Sequence, residues 1–169
     1  MEISFGPDSL QIYYKGKKWQ IVFEDIQNIY RREELNFFLI FPFRKKEVEI
    51  QTPHGVARIQ GNIRNFDQMV RDLESRIYPG IYLHDIEILA GGKVVKFGEI
   101  LLNQQGLKIG ENIILWNQAA GIAVERGSLL IKYWQDGKIQ VHKGSAGSTP
   151  NIPVFLKLAE EHIHNAGRL

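Results

Sequence analysis

A chain of 169 residues, 44% hydrophobic and 24% charged, is long enough for one large domain or two small ones, and its ordinary composition excludes disorder and collagen-like repeats. A formal charge of +2 excludes a field strong enough to capture nucleic acid or a membrane without local clustering. The absence of cysteine removes disulfides, thiolate zinc sites and cysteine nucleophiles, and fits a reducing interior.

Nine Phe, six Tyr and three Trp against two Met favour pleated sheet filled by rigid rings over a helix bundle. The opening Met1-Glu2-Ile3-Ser4-Phe5 lacks the basic and then apolar regions of a secretory signal. No window approaches the ~20 apolar residues that cross a bilayer. A cytoplasmic protein is therefore expected, meeting a membrane only peripherally, at its inner face.

The alternating Leu10-Gln11-Ile12-Tyr13-Tyr14, the turn Lys15-Gly16-Lys17 and the run from Trp19 to Phe23 predict a β-hairpin. Strands are then predicted over Ile26–Arg32, Phe37–Phe41, Glu47–Gln51 and Val56–Gln60, with Pro53-His54-Gly55 as a turn. Asn62 is placed as the cap of a helix whose apolar stripe is Ile63, Phe66, Met69, Val70, Leu73 and Ile77. The stretch Tyr82–Leu89 can prolong that helix beyond a kink at Pro79 and end it at Gly91-Gly92, giving a connector of fixed geometry.

The second half repeats this order. Leu107-Lys108-Ile109, the turn Gly110-Glu111 and the run from Asn112 predict another hairpin, followed by strands over Gly121–Arg126, Leu129–Trp134 and Lys138–His142 with Asp136-Gly137 as a strong turn. Asn151 precedes a helix carrying Ile152, Phe155, Leu158, Ala159 and Ile163 on one face, with Pro153 tolerated in its first turn. Trp19–Ile29 aligns without gaps on Asn112–Ile122, placing Phe23 on Trp116 and Ile29 on Ile122. Phe5-Gly6 is matched to Phe97-Gly98, and Asn62-Ile63-Arg64-Asn65-Phe66 to Asn151-Ile152-Pro153-Val154-Phe155.

A hairpin, further antiparallel strands and a closing helix, twice over, resemble the pleckstrin-homology-like (PH-like) fold. Phe97-Gly98-Glu99-Ile100-Leu101-Leu102, Gly106-Leu107, Leu115-Trp116 and Asn151–Leu156 look like the second module of an uncharacterised bacterial family with tandem PH-like modules. Tyr13, Trp19, Phe23-Glu24-Asp25-Ile26 and the terminal helix resemble its first module. The chain departs from that pattern at Asn117-Gln118-Ala119, where a Ser, Glu, Ile run often follows the tryptophan. The resemblance implies an α+β, mainly β chain of two modules, each an antiparallel β-sandwich or partly open barrel closed by a C-terminal helix. Residues 1–80 form the first module, 81–93 a connector and 94–169 the second. Matching positions are apolar or turn-forming, so they carry fold and not activity.

No HExxH or His pair at helical zinc-ligand spacing occurs, and His162 and His164 are expected at a solvated helix end. Gly144–Thr149 resembles a phosphate loop but lacks its lysine, and an ordinary polar connection is expected. No catalytic constellation, metal or cofactor is expected. What stands out is a set of candidate binding residues. Lys15, Lys17 and Lys18 sit in the first hairpin loop, where the resemblance implies an anionic headgroup site. Arg44, Lys45 and Lys46 form a second basic cluster; surface lysines also serve solubility and edge protection. Phe37, Phe38, Phe41 and Phe43 make an apolar stretch suited to a covered strand, a protein interface or a membrane interface. The expected function is a non-catalytic adaptor that binds a protein partner or a second copy of itself. The alternative is a peripheral reader of anionic lipid. Nucleic acid is not an expected partner.

Overall fold

Lys15 and Gly16 both adopt left-handed φ, 49° and 73°, as a two-residue hairpin loop requires if its twist is to match that of the strands it joins. The hairpin they close belongs to a sheet of β1 (Glu2–Phe5), β2 (Ser9–Tyr14) and β3 (Lys17–Val22), in the order β1-β2-β3. The computed structural model describes residues 1–38 and 41–167, and side chains outside 35–43. It divides into two compact units, Met1–Gly80 and Ile81–Leu169.

In the first unit a 3-10 turn at Phe23–Asp25 leads to a second antiparallel sheet, β4 (Asn28–Phe38), β5 (Phe41–Thr52) and β6 (Gly55–Gln60), in the order β4-β5-β6. The four short strands expected here are three, because β4 and β5 form one long hairpin paired from Asn28↔Gln51 to Phe38↔Phe41. The charged stretch that interrupts the apolar pattern continues the ladder by placing opposite charges across it, Glu33↔Lys46 and Glu34↔Lys45. Leu10, Ile29, Val48, Ile50 and Ile59 are fully buried from the strands, and Val70 and Leu73 from the helix α1 (Phe66–Ala90). That helix starts later than the sequence suggests. Asn62 lies in the preceding loop; Asn65, at φ 59°, is the residue next to the helix, and its carbonyl accepts from the Met69 amide.

α1 runs through Pro79 to Ala90 and ends at the expected glycines. Gly92, at φ 72°, donates to Leu89, and Lys93 donates to Ile88, which is the paired hydrogen-bond pattern of a Schellman stop.

The second unit contains β7 (Val95–Phe97), β8 (Ile100–Leu102), β9 (Gly106–Ile109) and β10 (Asn112–Leu115) in the order β10-β9-β8-β7. A turn at 116–118 leads to a sheet of β11 (Ala119–Glu125), β12 (Ser128–Gln135) and β13 (Lys138–Ser145), then a 3-10 turn and α2 (Ile152–Ala166). Asn151, at φ 48°, accepts from Val154 and Phe155 through its carbonyl. Phe155 packs on Phe97 with ring centroids 5.3 Å apart. Among the described residues the chain is thus mainly β with two α-helices and four small antiparallel sheets, none closed into a barrel.

The aligned segments carry the same local geometry: Ile26 donates to Phe23, and at the matching positions Ala119 donates to Trp116. One expected match shifts. The β1–β2 turn is closed by Gly6 donating to Ser9, and the β8–β9 turn by Asn103 donating to Gly106. Phe5-Gly6 therefore corresponds in position to Leu102-Asn103, whereas Phe97-Gly98 joins β7 to β8.

Two expected outcomes follow from the packing. A Cβ on Gly106 would stand 2.1 Å from the Ile114 carbonyl oxygen, so Gly106→Ala is expected to lose about 3 kcal/mol or more in denaturant unfolding. Gly80→Ala, on open helix surface, is expected to gain about 0.5–1 kcal/mol in the same measurement. Asp85 is buried on α1, and loss of solvent raises its pKa from 3.8 to about 6, with His84 opposing. A carboxyl raised in the folded state favours folding when protonated and costs roughly 3 kcal/mol once both states ionise above that value. Asp85→Asn is expected to raise the melting temperature at pH 7.5, with the gain shrinking as pH falls through 6 toward 4.

Candidate binding groove

Strands at the edge of a short sheet leave half their backbone groups unpaired, and in the first unit β3 and β6 are such edges. Ile12 stands opposite Trp19 and Tyr14 opposite Lys17, so these four side chains share the sheet face that carries the buried Leu10 and Ile12. Trp19 nevertheless remains 45% exposed, Tyr14 42% and Val56 54%. Between them lies a cavity of about 470 Å³ lined from one side by Ile12, Tyr14, Trp19 and Ile21 and from the other by Thr52 and residues 54–58. A second hollow of about 480 Å³ continues it, sharing Tyr14 and Arg58 and adding Gln60, Asn62 and Arg64.

Arg58 is set at the junction of the two hollows by Glu49. The Glu49 carboxylate is almost fully covered and accepts from Arg58 at 2.8 Å, from Arg32 at 3.0 Å and from Gln51 at 2.9 Å. Those donors replace its water, so the hydrogen bond from Arg58 outweighs desolvation and holds Glu49 below the usual carboxylate range. His54, at the rim, lies 3.8 Å from Asp25.

The basic clusters separate sharply. Arg44 pairs with Glu33 at 2.9 Å and Lys46 with Asp67 at 2.6 Å, fastening β5 to its neighbour strand and to the start of α1. Lys45 is exposed, facing Glu34 across the ladder. Arg31, on β4 of this hairpin, pairs with Glu74. Lys15, Lys17 and Lys18 are exposed and, among the described residues, have no carboxylate within 4 Å; Lys15 and Lys18 lie over the rings of Tyr14 and Tyr13. The side chains of Phe37, Phe38, Phe41 and Phe43 lie outside the described residues.

In the second unit, Thr149 and Ser148 hydroxyls both donate to the Ser145 carbonyl, engaging two hydroxyls of the loop that resembles a phosphate cradle. His162 is half-buried against Trp116, with ring centroids 5.0 Å apart, in place of the solvated position expected for it. The groove itself escaped the sequence reading. Trp19 was legible as a strand aromatic, but its exposure depends on β6 failing to cover it.

Residues 11–167 match the family model described as Family of unknown function (DUF6585). No curated protein and no solved structure matches the chain.

Glu49→Gln is expected to cost about 1–2 kcal/mol of stability at pH 7, because it removes the charge that two guanidinium groups share. A carboxylate lowered in the folded state stabilises above its unfolded pKa and loses that contribution as pH falls through the folded value. The difference between wild type and variant in urea unfolding is therefore expected to vanish in strong acid.

Proposed function

Since the chain belongs to DUF6585, a family of unknown function, we propose from geometry that it is a non-catalytic binding protein whose first unit takes an extended polypeptide segment of a partner. In this reading both units are copies of one PH-like module; two antiparallel sheets followed by a helix, in each unit, support it. The observation that carries the binding role is the groove between β3 and β6, where exposed aromatic surface meets free strand edges. A bound strand hydrogen-bonds an edge and sets alternate side chains into the apolar hollow, the arrangement known from β-strand addition. The acids and phenol whose pKa values burial raises, Glu74, Tyr78 and Asp85, line neither hollow, which favours binding over acid–base chemistry there.

A second reading is supported by the exposed Lys15, Lys17 and Lys18 at a hairpin tip, which suit anionic headgroups. The two are separated by one pair of assays. Selection of a random peptide library on the purified chain is expected to enrich peptides whose binding falls at least tenfold on Trp19→Ser. Flotation with phosphatidylserine vesicles is expected to show no binding beyond neutral vesicles. Vesicle binding abolished by charge reversal at the three lysines, without peptide enrichment, would replace the first reading with the second.

A further inference from the structure

Resting on the peptide-binding reading, we infer that the segment taken by the groove is acidic. Neither hollow is lined by a single Asp or Glu, while Arg58, Arg64 and His54 all line them. Lys17 extends this set, sharing the face of β3 with Trp19 and standing opposite Tyr14. Asp25 stands beside His54, and the covered Glu49 pairs with Arg58. Among the described residues Arg64, which lines the second hollow, and Lys17 have no carboxylate within 4 Å, so their charge is not spent on a pair within the chain.

The two hollows differ in character. The one beside Trp19 and Ile21 is mostly aliphatic and aromatic; the one beside Arg58 and Arg64 is polar, with Gln60 and Asn62. An extended chain pairing with the six residues of β3 spans about 20 Å at roughly 3.3 Å per residue. On the face that Lys17, Trp19 and Ile21 share, its side chains are apolar against Trp19 and Ile21 toward one end and acidic against Lys17, Arg58 and Arg64 toward the other. A strand apolar at one end and acidic at the other satisfies both hollows; a basic one meets like charge.

The probes are three nine-residue peptides in which a run of four Val adjoins a run of five Glu, Gln or Lys, titrated calorimetrically into the full chain at 50 and 300 mM salt. The Val-Glu peptide is expected to bind at least tenfold more tightly than Val-Gln at low salt, with most of that advantage lost at high salt. The Val-Lys peptide is expected not to bind. The double variant Lys17→Glu, Arg64→Glu is expected to erase the preference while its melting temperature and far-UV circular dichroism stay those of wild type, which shows the fold intact. Equal binding of Val-Glu and Val-Gln would overturn the acidic preference and leave the peptide reading standing. A preference that survives the double variant would likewise overturn it. Failure of all three peptides to bind would overturn both.

Discussion

In the first unit β3 and β6 are edge strands, each paired within its sheet along one hydrogen-bonding side only. A closed barrel would remove those edges; these sheets do not close. The consequence runs through the rest of the unit. Inward-facing residues near the sheet centres, such as Leu10 and Ile50, are fully buried, while Trp19, on the same face but at the edge, is not. The groove exists because the core is completed on the helix side, where Val70 and Leu73 are fully buried, and left open on the β3–β6 side.

Charge arrangement follows the same division. Where the chain needs its long β4–β5 hairpin and its helix start held, cations and anions meet as Arg44–Glu33 and Lys46–Asp67. Exposed pairs of this kind add little stability singly, and their effect here is to fix register and direction. At the groove Arg58 serves two purposes, neutralising the covered Glu49 while keeping an exposed guanidinium at the junction of the hollows. Unit two uses its polar groups differently: Trp116 donates to the Asn103 carbonyl, and Tyr82 donates to Glu161, so indole and phenol groups secure internal joints.

Much of the fold was legible because its signals are local. Lys15-Gly16 and Asp136-Gly137 announce their turns by the left-handed φ they must adopt, and both do so. The apolar stripes of both helices are read from periodicity alone, except that Ile63 lies in the loop before α1. The glycines that stop α1 were visible for the same reason. Errors came where a local signal had two readings. Asn62 and Asn65 are equally good candidates before a helix, and only the loop path selects Asn65. The charged run Arg31–Glu34 looks like a strand break until its cross-strand partners are known. The candidate site was the least legible part: whether Lys46 faces solvent or Asp67, and whether Trp19 is covered, depends on segments far apart in the chain.

The most direct measurement is residue-resolved amide hydrogen exchange of the full chain, alone and with a peptide that binds it. If β3 is the docking edge, the peptide slows exchange at alternate amides of Lys17–Val22 and around Thr52–Arg58, and leaves β12 and β13 as they were. Unchanged exchange along β3 with the peptide bound, or protection confined to another surface, would contradict the groove as the binding site.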